Sequence, residues 1–251
     1  MNRTDAQRTN GLLIVGHGTR DVEGRREFEQ VVELAAARAP ELLVEPAYLE
    51  LADPDIPAGI QHLISRGAQA IHLAPLLLFA AGHAREDIPR LLDAARQAHP
   101  HVPIRLGGVL GCHPAIVELS AHRYREAIEN LAPVAAAETI LILVGRGSRD
   151  ESATAEMLRF AQLRAEQTPV AKVETCFVAM ARPSLTEMLG SVASGPWRRV
   201  VVQPHLLFRG QLLDEVAAAV ARQQAAFPEK DWVIAGRLGV RPQVIDVVLQ
   251  R

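Results

Sequence analysis

The chain has 251 residues, 49% of them hydrophobic and 22% charged, with a formal net charge of −2. That composition is ordinary for a globular protein and excludes general disorder; the length fits one large domain or two of about 125 residues each. Without a basic excess, and with only 4% aromatic residues, nucleic-acid binding lacks both its electrostatic footprint and its stacking platforms.

In chain order, the opening MNRTDAQRTN is polar and has no apolar signal-peptide core. Apolar runs at 12–15, 43–49, 70–75 and 102–106 read as strands, and amphipathic patterns at 22–38, 56–66, 85–98 and 114–131 read as helices. A small-residue stretch at 132–137 is the expected linker. Strand runs then recur at 139–144, 172–178, 199–203 and 233–235. Apolar strands separated by amphipathic helices indicate βαβ units and parallel sheets. The longest apolar stretch, 71–82, is interrupted by His72 and Pro75 and falls short of the roughly 20 residues that span a bilayer. The two cysteines, Cys112 and Cys176, suggest no disulfide framework, so a reducing compartment, the cytoplasm, is expected.

The same unit is present twice. LLIVGHGTRD at 12–21 returns as LILVGRGSRD at 141–150, an offset of 129. The offset also carries AYLELADP (47–54) onto CFVAMARP (176–183) and PLLLF (75–79) onto PHLLF (204–208). It then drops to 128, pairing Gly82 with Gly210, His83 with Gln211, and LGCHP (110–114) with LGVRP (238–242). Self-similarity on this scale defines the architecture: two similar parallel-sheet α/β domains, residues 1–131 and 138–251.

Ligands of open parallel sheets bind beyond the carboxyl ends of the strands. There the first half places His17 between two glycines, Glu50 at the end of strand two, and His83 after strand three. Their counterparts, Arg146, Ala179 and Gln211, have lost proton-accepting or strong metal-binding character. Two imidazoles and a carboxylate with open positions suit an exchangeable divalent first-row metal rather than a closed structural zinc site. The duller alternatives are a helix-capping loop histidine, a water-facing helix-start histidine and a solvated strand terminus. Of the other histidines, His62 and His72 read as packing or surface residues, His99 and His101 as exposed, and His113 as a helix-start residue. His205, opposite Leu76, is a further candidate for the cleft. Neither GHGTRD nor GRGSRD is a Walker A motif or a full GxGxxG. Arg20 and Arg149 match across the repeat, either as anion-binding groups or as partners of Asp21 and Asp150.

On VGHGTRD, AYLELADPDI and PLLLFAAGHAREDIP, the sequence resembles the class II chelatases of tetrapyrrole biosynthesis, and most closely the long, internally duplicated sirohydrochlorin chelatases of the CbiX and SirB type. The resemblance covers nearly all of 11–250. It implies two α/β halves facing a cleft, and a fused pseudo-dimer that functions as a monomer. It also implies nucleotide-independent insertion of Co2+, or else Fe2+, into sirohydrochlorin, for cobalamin or sirohaem. No permanently bound cofactor is expected; the metal is a substrate. By resemblance His17 and His83 are the paired active-site histidines and Glu50 a third metal ligand. Arg20, Arg85, Arg146 and Arg209 are candidate partners of the substrate's carboxylates, since guanidinium binds them bidentately. Long members can carry a histidine- or cysteine-rich tail, whereas this sequence stops at Gln250-Arg251, so tail-borne metal storage is not expected.

Two other functions compete. A non-catalytic metal or tetrapyrrole carrier predicts stable 1:1 binding without accelerated insertion. A histidine phosphatase would use a related strand-end triplet, but here a glycine precedes the histidine.

Overall fold

The computed structural model describes residues 10–80 and 82–250, the side chains of His83 and Ala84 excepted. The first sheet consists of β1 (Asn10–Gly16), β2 (Leu42–Tyr48), β3 (Ala70–Pro75) and β4 (Ile104–Leu106), all parallel in the order β2-β1-β3-β4. Helices α1 (Val22–Arg38), α2 (Ile56–Ser65) and α3 (His83–Ala98) connect them, and α4 (Pro114–Ile128) follows. A short 3-10 turn, Ala136–Glu138, leads into the second sheet. That sheet holds β5 (Thr139–Gly145), β6 (Lys172–Phe177), β7 (Arg199–Pro204) and β8 (Asp231–Ile234) in the equivalent order β6-β5-β7-β8, again all parallel. Helices α5 (Glu151–Glu166), α6 (Leu185–Ala193) and α7 (Gln211–Ala226) connect its strands, and α8 (Pro242–Leu249) follows in the chain.

Continuous burial from Gly11 to Gly16 and throughout β5 follows from sheets covered on both faces, which need uninterrupted apolar strands rather than alternating ones. On one face of the first sheet, Leu13, Val15, Ile71 and Leu73 pack with Ile56, Ile60, Leu63 and Leu92. Ile140, Ile142, Val144, Val200 and Val202 repeat that layer with Leu185, Leu189, Val216 and Val220. Among the described residues, no helix is long and apolar enough to cross a membrane.

Side-chain caps set the helix starts. Asp21 accepts the Gly24 N–H at 2.7 Å and Asp150 the Ser152 N–H at 2.9 Å, satisfying amide groups left open by the first turn. His113 likewise accepts the Ala115 N–H through Nδ1, so its helix-start reading is the one observed. At α6, Ser184 and Glu187 form a reciprocal capping box. The Ser184 N–H, the Arg182 guanidinium and the Ser184 hydroxyl together hold the Glu187 carboxyl down from its ordinary 4.5 to about 2. Because the folded value is depressed, this contribution to stability is complete above 4.5 and disappears as the pH falls through about 2. Wild type should therefore have a higher urea midpoint than Glu187→Gln at neutral pH. The gap should close on acidification across that window.

Compactness does not follow the repeat. One unit runs to Leu110 and is completed by the chain from Val244 onward; the other is Gly111–Gln243. The 132–137 stretch, expected to separate domains 1–131 and 138–251, lies inside the second unit, where the Ala132 carbonyl accepts a hydrogen bond from the buried Arg199. The physical reason lies in the end helices. Within the second unit α4 packs against α5 and β8, while in the first unit Asp246 of α8 pairs with Arg38 of α1 at 2.5 Å.

His205 faces no cleft within its unit. Its ring is buried and lies 4.0 Å from that of Phe160. Burial, helped by the nearby Arg164 charge, pushes its imidazole down to about 3. It is a neutral core residue.

Candidate functional site

A sheet ordered β2-β1-β3-β4 has its topological switch point between β1 and β3, where chains leave in opposite directions and open a crevice. His17 is the first residue after β1 and is exposed. Backbone pairing continues past the strand ends: the Leu49 N–H donates to the Gly16 carbonyl at 3.0 Å and the Glu50 N–H to the His17 carbonyl at 3.1 Å. This extension places Glu50, two residues beyond β2 rather than at its end, beside His17. Nδ1 of His17 stands 3.5 Å from Oε1 of Glu50, with the side chains 43% and 54% exposed. An imidazole facing a carboxylate, both open to solvent, can receive a hydrated cation and hand it on.

The backbone here is specialised. Gly18 has φ +93, and a Cβ on it would lie 1.7 Å from the Glu50 carbonyl oxygen, so only glycine permits the two loops to meet. Leu51 has φ 64, a left-handed conformation that costs a branched side chain about 1–2 kcal/mol. The second unit reproduces all of this. Gly147 has φ +91 with the Ala179 carbonyl oxygen at 1.7 Å from its Cβ position. Met180 has φ 58, and the Ala179 N–H donates to the Arg146 carbonyl at 2.9 Å. The loops are therefore inherited scaffold, and the side chains they carry distinguish the halves. An imidazole and a carboxylate in the first become a guanidinium and a methyl group in the second.

The backbone of His83 opens α3, after the loop that follows β3; its side chain, and with it the expected pairing with His17, lies outside the described residues. Among the described residues no three His, Cys, Asp or Glu side chains converge. Arg20 is exposed just ahead of the α1 cap, Arg85 is exposed in the first turn of α3, and Arg146 is exposed between Gly145 and Gly147. Arg209 lies 3.6 Å from Asp214. Sequence reading did not find the left-handed residues Leu51 and Met180. They occupy matching places in the AYLELADP and CFVAMARP blocks, but neither leucine nor methionine favours a positive φ, so no residue type marks them.

The CbiX family model matches this chain twice, over 11–127 and 140–251. The chain belongs to the CbiX family. As a CbiX protein it is 31% identical to the sirohydrochlorin cobaltochelatase of Priestia megaterium, over 96% of this chain and 78% of that protein. It is 30% identical to the sirohydrochlorin ferrochelatase of the same organism, over 92% and 84%. Among solved structures, SirB from Bacillus subtilis with Fe3+ superposes with a TM-score of 0.85 at 28% identity, covering 97% of this chain and 94% of that one. The two matched segments coincide with the sequence repeat, so this CbiX fold is two copies of one parallel α/β unit.

Proposed function

We propose that this protein is a sirohydrochlorin chelatase that inserts Co2+, or alternatively Fe2+, into the macrocycle without nucleotide hydrolysis. The single observation carrying the reading is the His17–Glu50 pair beyond the carboxyl ends of β1 and β2, in a chain about 30% identical to chelatases of both metals over nearly its whole length.

The chemistry assigns the residues. Insertion breaks two pyrrolic N–H bonds; each electron pair stays on nitrogen and passes to the metal, and two protons leave. His17 and His83 share metal handling and proton acceptance, because imidazole is the side chain whose ordinary range brackets neutral pH. Glu50 ligates or balances the charge of the incoming ion from beside His17. Water exchange demands an incomplete shell, which an exposed pair provides and a closed four-ligand site would not. Arg20, Arg85, Arg146 and Arg209 bind the peripheral carboxylates, Arg146 as a fixed cation in the place of the first-half imidazole.

Two measurements test this. In anaerobic absorbance assays with sirohydrochlorin and Co2+ or Fe2+, the protein should accelerate metallation catalytically; stable 1:1 binding without turnover would assign it to a carrier instead. In Co2+ titrations the chain should bind one ion, because Arg146 and Ala179 leave the second half with neither a lone pair nor a carboxylate at the equivalent position. Two ions of similar affinity would refute that division.

A further inference from the structure

Arg164, on α5, is fully buried, and among the described residues no carboxylate pairs with it. Its hydrogen-bond acceptors are neutral groups instead, while the Arg125 and Glu118 charges act on it without bonding to it. Nε donates to Ser120 Oγ of α4 at 2.9 Å, one terminal nitrogen donates to Thr168 Oγ1, and the other to Gln203 Oε1 of β7 at 3.4 Å. The network closes on itself: Gln203 Nε2 donates to the Ser120 carbonyl at 2.8 Å, and the Thr168 hydroxyl to the Arg164 carbonyl at 2.7 Å. All four residues are buried.

The repeat gives each of them a counterpart in the first unit. An offset of 129 carries Ala35 onto Arg164, Ala39 onto Thr168 and Ala74 onto Gln203; the later offset of 128 carries Ser120 onto Val248. All four counterparts are buried and apolar. The end helices otherwise match. Ile116, Val117, Leu119 and Ser120 are buried on α4, and Val244, Ile245, Val247 and Val248 at the same places on α8. Over the eight residues they share, the two helices thus present matching buried faces to two homologous sheets, one bearing a polar quartet and the other its apolar equivalent.

We infer that the quartet Ser120, Arg164, Thr168 and Gln203 decides which end helix closes which sheet, admitting α4 to the second unit and refusing α8. With α8 in that place, the valine corresponding to Ser120 would meet the Arg164 guanidinium and leave a buried charge short of an acceptor, which is far costlier than a lost contact. With α4 on the first sheet, the Ser120 hydroxyl would be buried against Ala35 and Ala74 with no polar partner from those residues. Both misplacements are penalised, so a single arrangement persists despite the internal symmetry. The Arg38–Asp246 pair favours the same arrangement, but with both side chains at least 40% exposed its weight is small. Buried polar groups that fix register at some expense of stability are known from coiled coils, where one polar core residue sets the pairing.

The test uses the full chain and amide NMR. Ser120→Val brings the two arrangements towards parity. It should lower the urea midpoint by about 1 M and double the amide signals of α4 and α8. Ser120→Thr keeps an acceptor and should give one set. The apolar combination Arg164→Met, Thr168→Val, Gln203→Leu and Ser120→Val removes the unsatisfied charge; it should recover the midpoint yet keep the doubling. One set of signals in both Ser120→Val and the apolar combination would overturn the inference, leaving the quartet as packing alone. Should the combination fail to fold, Ser120→Val against Ser120→Thr still decides between the two.

Discussion

His17→Ala should slow cobalt insertion at least about 100-fold while leaving the fold intact. The lower bound is the usual worth of a positioned proton acceptor, the role proposed for His17. The side chain is 43% exposed, so its removal opens no core cavity, and stability should stay within about 0.5 kcal/mol of wild type. The measurement is the anaerobic rate of change in sirohydrochlorin absorbance under saturating substrate, with thermal unfolding as the control. Arg146→Ala is the informative comparison, because it truncates the equivalent residue on the equivalent loop. It should raise the substrate KM with little change in kcat, the signature of uniform binding lost rather than a transition-state contact. Metallation by a His17→Ala/His83→Ala double variant at the wild-type rate would remove both histidines from the mechanism.

Much of the architecture was legible because parallel sheets write themselves in uninterrupted apolar runs. The expected strand at 70–75 and helix at 22–38 coincide with β3 and α1, whereas β4 begins at Ile104 rather than at 102. Pro103 fits that trimming: it has no N–H to give the ladder, although its carbonyl still accepts the Ile71 N–H of β3. The His17–Glu50 meeting was legible as two strand ends in one half. Its 3.5 Å spacing depends on a left-handed turn at Leu51 that no propensity announces. The exchange of end helices was not anticipated, since the repeat alone assigns each helix to the half that encodes it. Comparing the copies for polarity rather than identity would have exposed it: Ala35, Ala39, Ala74 and Val248 against Arg164, Thr168, Gln203 and Ser120 are four concordant replacements in one buried place. His205 shows the opposite hazard, a histidine near a strand end that is only core.

Gly18→Ala and Gly147→Ala make the sharpest separation between scaffold and chemistry. Each introduces a Cβ 1.7 Å from a carbonyl oxygen, that of Glu50 or that of Ala179, at a φ of +93 or +91. A gap so far inside van der Waals contact closes only if the two loops part, and parting them costs the backbone bond from the Glu50 N–H to the His17 carbonyl, or its Ala179–Arg146 equivalent. Steric displacement, a lost hydrogen bond and an unfavourable φ together should destabilise each variant by more than about 3 kcal/mol. The stability losses should be similar because the backbones match. The activities should not be. In the folded fraction Gly18→Ala separates His17 from Glu50 and should lower kcat at least about tenfold, in line with the penalty for misplacing reacting groups by an ångström. Gly147→Ala moves only Arg146 and the Ala179 methyl, so its folded fraction should keep kcat and lose affinity for the substrate. Denaturation midpoints and steady-state metallation rates, corrected for the folded population, give both quantities. An equal fall in kcat from the two variants would mean that the second loop takes part in the chemical step, and the assignment of chemistry to one half would fail.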